Sequence, residues 1–249
     1  MSKRKINGGK GGKIKYSFLI PVHNEQGNLD QLMAEIEAVR KKLNGRSEVV
    51  LVNDASSDNS GKVLARIGRQ YRGVVVVTLA KNSGQSAATV AGLDNTSGEY
   101  VITLDADLQN NPADLAGMQK YCGQYDVVVG RRAQRRDSLV KRISSRIANG
   151  IRNRLNNETI SDTGCSLRIV KASILKKVPR FNGMHRFIPT LCRIEGATVR
   201  EVDVSHRHRQ HGTSHYGTWN RAFRALADAI AVRWFMKRKI RYLVAGVRR

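Results

Sequence analysis

Apolar and polar positions alternate along the chain in two patterns, one typical of strands and one of helices. Four short, mostly apolar runs have the length and composition of buried β-strands. These strands are predicted at residues 15–22, 49–52, 74–79 and 100–104. Between the runs, apolar residues recur at helical spacing. Helices are predicted from Asn28, as capping residue, to Leu43, from Asn59 or Ser60 onward, and from about Ser86 to Leu93.

The repeated order of strand, polar loop and helix predicts an α/β fold with a doubly wound, mostly parallel sheet and helices on both faces. The second half of the chain is more irregular. Its strands are predicted at residues 126–130, from about 168 onward and at 201–205, and its helices at 138–155, 187–194 and 219–236. We expect three parts: a disordered basic tail over residues 1–13, one domain over 14–217, and an amphipathic, basic, helical C-terminal segment over 218–249.

Polar side chains follow the ends of the predicted strands, where ligands collect in parallel α/β sheets. Asp105 and Asp107 come directly after the fourth strand and, on an extended chain, point to the same side. Together with the amide oxygen of Gln109, they suit a hard cation such as Mg²⁺ or Mn²⁺. The alternative is that Asp105 caps a turn and Asp107 is solvated. Asp54, after the second strand, either accepts bonds from a nucleotide base or ribose or serves as a turn residue.

The chain is strongly basic, with a formal net charge of +24. Such a protein favours polyanionic partners, which are nucleic acid, anionic lipid or phosphorylated substrates. Cations cluster in residues 131–154 and again in 233–249, where no acid occurs. The second cluster is interleaved with apolar residues, a pattern typical of segments that lie on anionic lipid. Four histidines within residues 206–215 fit phosphate contacts better than a zinc site.

Several classes of protein are disfavoured. The glycines form neither a dinucleotide-binding nor a P-loop motif. No apolar run reaches the 18 or so residues of a membrane-spanning helix, and the N-terminus lacks the apolar centre of a signal peptide. Three widely spaced cysteines favour buried, reduced thiols in a cytoplasmic protein. A nucleic-acid-binding protein stays a competing interpretation, although no signature of such a domain appears.

Five motifs, in this order, resemble those of family 2 glycosyltransferases, and most closely the branch that makes dolichyl- and polyprenyl-phosphate sugars. They are Pro21-Val22-His23-Asn24-Glu25, Val52-Asn53-Asp54 with Ser57-Asp58, Lys81-Asn82-Ser83-Gly84, Asp105-Ala106-Asp107-Leu108-Gln109, and Asp162-Thr163-Gly164-Cys165-Ser166-Leu167-Arg168. The resemblance covers about residues 15–217. It implies a GT-A fold and an inverting, metal-dependent transfer from a GDP- or UDP-sugar to a polyprenyl phosphate.

The resemblance also implies roles for single residues. It puts Pro21, Glu25, Asp54, Asn82 and Asp105 on the nucleotide sugar, and Asp105, Asp107 and Gln109 around the metal and diphosphate. It implies catalytic roles for Asp107, Asp162 and Arg209, the last in a mobile loop. Arg132, Lys141, Ser145, Arg168, Arg186 and Ser214 are expected to face the acceptor phosphate or the sugar near it.

Two departures from the family pattern bear on the expected reaction. Many relatives carry C-terminal membrane spans, and none is predicted here. The Gln of the processive Q-x-x-R-W motif is Ile230 in this chain, which disfavours a chain-elongating synthase. We expect a cytoplasmic enzyme held at the cytoplasmic face of a membrane by anionic lipid or a membrane partner protein, with no nucleic acid bound. A soluble or protein acceptor is the alternative.

Overall fold

A computed structural model of the chain describes residues 12–132, 160–162, 164–207, 218–240 and 245–246, with residues 218–226 described by their backbone. Seven strands in this part form one sheet, in the order β3-β2-β1-β4-β6-β5-β7. Six strands run in the same direction, and β6 is antiparallel to both neighbours. The strands are β1 Tyr16–Val22, β2 Ser47–Asn53, β3 Val74–Thr78, β4 Tyr100–Thr103, β5 Val127–Arg132, β6 Arg168–Lys171 and β7 Val199–Val204.

Helices connect the parallel strands and cover both faces of the sheet. They are α1 Leu29–Arg40, α2 Ser60–Gln70, α3 Gln85–Asp94, α4 Leu115–Met118, α5 Ala172–Leu175, α6 Ile188–Ile194 and α7 Thr218–Arg238. Short 3-10 turns occur at Pro112–Asp114, Gln119–Tyr121 and Met184–Arg186. The predicted doubly wound, mostly parallel sheet is therefore confirmed.

The core has one layer on each face of the sheet, because successive side chains of a strand point to opposite faces. Phe18 and Ile20 of β1 pack with α1 and α2, whereas Leu19 between them packs in the other layer, with α6 and α7. All three are fully buried. Cys165 and Cys192 are buried, Cys122 is half-buried, and none of the three forms a disulfide.

Three predicted details are corrected. Helix α1 ends at Arg40 rather than Leu43. Asn28 occupies the N-cap position, but its side chain makes no capping hydrogen bond, and its amide instead donates to Glu25 Oε2 at 2.5 Å. Strand β4 ends at Thr103, and the chain bends at residues 106–108.

The remaining predictions about organisation lie partly outside the described residues. These include the helix predicted at 138–155, most of the N-terminal tail and the loop with the clustered histidines. The three-part division of the chain stays a prediction. Among the helices that the structure describes, none combines the length and the apolar character that crossing a bilayer requires.

Candidate active site

One edge of the sheet collects the polar loops. The parallel strands β1 to β5 end at this edge, and β6 begins there because it runs in the opposite direction. The loops after β1, β2, β3 and β4 therefore meet the residues that precede β6. This is where ligands bind in open α/β sheets.

The backbone is strained at the same edge. Three non-glycine residues in the described part have positive φ: Asn24 at 56°, Ala55 at 48° and Leu108 at 59°. They follow β1, β2 and β4 respectively. Left-handed backbone is tolerated by asparagine but unfavourable for alanine and leucine, and such strain concentrates at sites where geometry is held for function. These loops form a crevice whose shape is fixed by neighbouring contacts.

Asp54 organises the loop that follows β3. It is buried, and its two carboxylate oxygens accept hydrogen bonds from the backbone amides of Ser83, at 2.7 Å, and Gly84, at 2.8 Å. Gly84 itself has φ of +86°, which glycine adopts without strain. The structure thus gives Asp54 a positioning contact. Its predicted contact with the nucleotide stays a prediction.

His23 joins two residues that were predicted to bind the nucleotide. Its Nδ1 lies 2.9 Å from the carbonyl oxygen of Asp54, and Nδ2 of Asn82 lies 3.0 Å from its Nε2. Glu25, on the same loop, donates from its backbone amide to the hydroxyl of Ser60 at 2.9 Å. The predicted residues Glu25, Asp54 and Asn82 are therefore all parts of the neighbouring β1, β2 and β3 loops.

A chain of contacts leads from this region to the two acids after β4. Gln85 follows the Ser83-Gly84 segment held by Asp54, and its side-chain amide donates to Asp105 Oδ1 at 2.8 Å. Asp105 therefore faces the crevice that Asp54 helps to form. Ser166 is close enough to Asp105 to favour its ionised form, and the Ser166 hydroxyl accepts from the Asn110 amide at 2.7 Å.

Asp105 and Asp107 are close enough for their charges to interact. Burial, and then the charge of Asp107, raise the pKa of Asp105 above the usual carboxyl value, although Ser166, Arg168 and Arg132 oppose the shift. A divalent cation bound between two neighbouring carboxylates lowers the free-energy cost of ionising both. In the described part of the chain no third His, Cys, Asp or Glu completes a metal-binding group.

The predicted reason for this proximity was wrong. Because β4 ends at Thr103, alternation along a strand does not place the two acids. The chain instead bends at residues 106–108, where Leu108 is left-handed, and the backbone amide of Gln109 donates to Asp107 Oδ1 at 3.2 Å. The carbonyl oxygen of Gln109 accepts from the Arg207 amide at 2.9 Å. The structure thus links Gln109 to Asp107 by its backbone, and metal binding by its side chain stays a prediction.

Arg132 and Asp162 form a buried ion pair at the ends of β5 and the loop before β6. Arg132 donates from Nε at 2.7 Å and from Nη2 at 2.8 Å to the two carboxylate oxygens of Asp162. Its backbone amide adds a third bond, at 3.1 Å. Sequence analysis placed the two residues in the same site but did not pair them.

A cavity of about 240 Å³ lies beside Asp105. Its lining includes Pro21, Thr103, Asp105, Ser166, Arg168 and Arg186. Arg168 is buried, and its Nη1 donates to the carbonyl oxygen of His185 at 3.0 Å. Burial lowers the pKa of this guanidinium, and the charges of Cys165, Asp105 and Asp162 oppose that shift. The contact with His185 holds the guanidinium of Arg168 near enough to Asp105 for the two charges to interact.

The turn Gly183–Arg186 forms one wall of the cavity and is held from two further elements. The Ser86 hydroxyl of α3 accepts from the Gly183 amide at 2.9 Å and lies 2.7 Å from His185 Nδ1. From α7, Asp228 approaches Gly183 so closely that a Cβ there would lie 2.5 Å from its Oδ2. Arg186 Nη1 is 3.6 Å from the same Oδ2.

The structure thus gathers most of the predicted residues and adds others. Lys141, Ser145, Arg209 and Ser214 lie outside the described residues. Gln85, Ser166 and His185 were missed as site residues. Two of them stand within or directly after the motifs that resemble the family, whereas nothing in the local pattern points to His185.

Replacing Asp105 by Asn should stabilise the metal-free fold at neutral pH. The raised pKa means that the ionised carboxylate costs stability there, and this cost disappears as pH falls through the raised pKa toward the unfolded value of about 4. Urea unfolding in EDTA at pH 7.5 and pH 5 measures the difference. Asp203→Asn, at an exposed carboxylate, is the control. A variant less stable than the parent chain at pH 7.5 would contradict the assignment.

Comparison with known proteins agrees with this geometry. The family described as glycosyl transferase family 2 matches residues 17–179. A dodecaprenyl-phosphate galacturonate synthase of Rhizobium johnstonii is 36% identical over 237 residues, which are 92% of this chain and 69% of that protein. An undecaprenyl-phosphate 4-deoxy-4-formamido-L-arabinose transferase of Edwardsiella ictaluri is 39% identical over 203 residues, 81% of this chain and 62% of that protein. The chain belongs to glycosyl transferase family 2.

Solved structures show the same fold at low sequence identity. Mannosyl-3-phosphoglycerate synthase from Rubrobacter xylanophilus has a TM-score of 0.70 at 17% identity, covering 92% of this chain and 77% of that one. Glucosyl-3-phosphoglycerate synthase from Mycobacterium tuberculosis, solved with Mn²⁺ and UDP-glucose, has a TM-score of 0.66 at 16% identity, covering 88% and 80%. The expected GT-A fold is confirmed.

Proposed function

We propose that the chain transfers a sugar, with inversion, from a nucleotide diphosphate sugar to a polyprenyl phosphate. The observation that supports this most directly is the continuous set of contacts from Asp54 through Gln85 to Asp105. It joins the loops expected to hold a nucleotide to a pair of acids beside a cavity. The relatives named above carry polyprenyl-phosphate sugar transfer in their names, and the chain spans 61 to 69% of the length of such relatives.

Asp105 and Asp107 fit a divalent ion, either Mg²⁺ or Mn²⁺. Two carboxylates are few for a site built by protein alone, but Mg²⁺ commonly takes one or two carboxylates and completes its shell with phosphate oxygens and water. Burial and the neighbouring charge of Asp107 raise the pKa of Asp105, so a cation bound beside both acids would favour their joint ionisation. When bound, such an ion supplies Lewis-acid neutralisation of charge on a leaving diphosphate.

Residues of the chain itself are proposed to bind the acceptor phosphate. An acceptor phosphate is already anionic, so no strong base is needed to activate it. Asp162 accordingly has its carboxylate engaged by Arg132, an arrangement that positions the arginine rather than removes a proton. Arg132 and Arg186 are the cations that we propose attract the lipid phosphate. One acceptor oxygen bonds to the anomeric carbon as its bond to the diphosphate breaks on the opposite face.

Two further proposals concern the substrates and the location. The nucleotide is a UDP or GDP sugar, and the enzyme works at the cytoplasmic face of a membrane. The first rests on the family and on the structural neighbour that holds UDP-glucose, and the second on the expected acceptor lipid and the basic character of the chain. A membrane partner protein is the alternative anchor.

Transfer into lipid tests the proposal. The chain is incubated with radiolabelled UDP- and GDP-sugars, MnCl₂ and a polyprenyl phosphate, and label is counted in the organic phase. We expect label in lipid with one nucleotide series, no label with EDTA, and no label when unphosphorylated polyprenol replaces the acceptor. Label that stays in the aqueous phase with every donor would contradict the proposal.

A further inference from the structure

The last helix has an outward face that is apolar along one part and cationic at its end. Six residues share this face at helical spacing and are all exposed: Ala227, Ile230, Ala231, Trp234, Lys237 and Arg238. We call them the outer stripe. Ile230 is 56% and Trp234 61% exposed, unusually high values for large apolar side chains. Ile240, just past the helix, is 82% exposed.

The opposite face of α7 fixes the direction of the outer stripe. Ala229 and Val232 are buried, and Phe235 and Met236 pack against the same core layer as α6. Past the C-terminal end of the helix, Lys239 Nζ donates to the carbonyl oxygen of Ile194 at 2.7 Å and pairs with Glu195 at 2.8 Å. The helix therefore cannot bury the outer stripe by rolling about its axis without breaking these contacts.

Charge indicates what covers this face. Between residues 233 and 249 the chain has cations and no acid, and the guanidinium of Arg238 lies 5.9 Å from the centre of the Trp234 ring. The cations are Arg233, Lys237, Arg238, Lys239, Arg241, Arg248 and Arg249. Tryptophan beside lysine and arginine is the composition of surfaces that sit at the headgroup level of a bilayer.

A second copy of the chain is a poorer occupant. A two-fold contact places the same surface on both subunits. The outer stripe of one copy would then face the outer stripe of the other, where no acid compensates Lys237 and Arg238. An anionic lipid surface offers the opposite sign and accepts apolar side chains as well.

We propose that the outer stripe docks on the headgroup region of an anionic bilayer. The role of this docking, to bring the cavity close to a lipid phosphate, rests on the proposed function. The same helix carries Asp228, which contacts the Gly183–Arg186 turn of the cavity. Asp228 and Trp234 are about 9 Å apart along the helix axis. Docking by this helix holds the cavity at a fixed short distance from the surface where a lipid phosphate lies.

Co-sedimentation of the 249-residue chain with vesicles provides the test. One set of vesicles is phosphatidylcholine alone, and the other contains about 30% phosphatidylglycerol as the anionic lipid. The buffer contains about 0.1 M salt. We expect Ile230→Ser with Trp234→Ser to weaken binding to anionic vesicles about tenfold or more, because large apolar contacts are lost. Lys237→Ala with Arg238→Ala should weaken binding by a similar factor.

The matched control removes the same charge from the other face of the sheet. Lys41 and Lys42 are exposed at the end of α1, and their double alanine variant should bind anionic vesicles within about twofold of the parent chain. Equal losses in this control and in the Lys237 and Arg238 variant would show attraction by net charge alone. That result would overturn the assignment of the surface.

Two more measurements exclude other occupants and separate this inference from the proposed function. In the variant Trp219→Phe, Trp234 is the one tryptophan left in the sequence. A blue shift of the fluorescence emission on adding vesicles then reports insertion of the Trp234 ring into the bilayer. Unchanged emission despite co-sedimentation, or self-association in sedimentation velocity that the stripe variants lose, would overturn the docking. If docking fails while transfer to a short, water-soluble polyprenyl phosphate persists, the proposed function still holds. Vesicle binding without any sugar transfer would support the docking and contradict the proposed function.

Discussion

Asp107→Asn should abolish sugar transfer, with a loss of about 1000-fold or more. A metal ion that neutralises leaving-group charge contributes several kcal/mol, and each 1.36 kcal/mol is a factor of ten in rate. Asparagine keeps the shape of the side chain and an oxygen that can accept from the Gln109 amide, now at 3.2 Å from Asp107. The loop should therefore keep its conformation while the site loses one of its two negative ligands.

The measurement combines single-turnover transfer with calorimetry of UDP and GDP binding, with and without MnCl₂. We expect the variant to lose the metal-dependent part of nucleotide affinity and to keep the part seen in EDTA. Asp94→Asn is the charge-matched control, because Asp94 forms a surface pair with Arg180 at the end of α3. Unchanged turnover in Asp107→Asn would remove the metal from the proposed mechanism.

The strands were predictable because their apolar runs are short and sharply bounded. Buried strands of a parallel sheet are apolar on both faces, and residues 49–52 and 100–103 show this directly. The order of the polar loops then followed from topology, since parallel strands end at one edge. This logic was sufficient to bring Glu25, Asp54, Asn82 and Asp105 into one crevice.

Contacts between segments that are distant in sequence could not be predicted from local sequence patterns. The conformation around Asp105 depends on Ser166 and Gln85, which come from other loops. Likewise, β6 inserts antiparallel between β4 and β5, and this places Arg168 near Asp105. The outward direction of Ile230 and Trp234 is decided by what packs beneath α7, although the sequence showed that the helix is amphipathic.

Two adjacent arginines offer a direct measure of how burial changes the value of an ion pair. Arg131 and Arg132 each bind an aspartate with two nitrogens, Asp203 and Asp162 respectively. The side chains of the first pair are 48% and 54% exposed, and those of the second are 18% and 5% exposed. Removing one partner of a buried pair leaves a charge without compensation, whereas an exposed charge is solvated by water.

Arg132→Met should therefore lower the free energy of unfolding by about 3 kcal/mol, the low end of the range for buried pairs. The low end is expected because the charge of Arg168 also interacts with Asp162. Arg131→Met should leave the urea midpoint nearly unchanged. Adding Asp162→Asn to Arg132→Met should recover part of the loss, since no buried charge remains.

The pH dependence supplies an independent check of the cause. Without Arg132, the buried Asp162 carboxyl group loses its paired cation, and burial disfavours its ionised form. A carboxyl group with a raised folded-state pKa costs stability when ionised and regains it on protonation. The deficit of Arg132→Met should accordingly be larger at pH 8 than at pH 5. Equal losses for Arg131→Met and Arg132→Met, or a deficit independent of pH, would show that lost packing rather than an uncompensated carboxylate destabilises the variant.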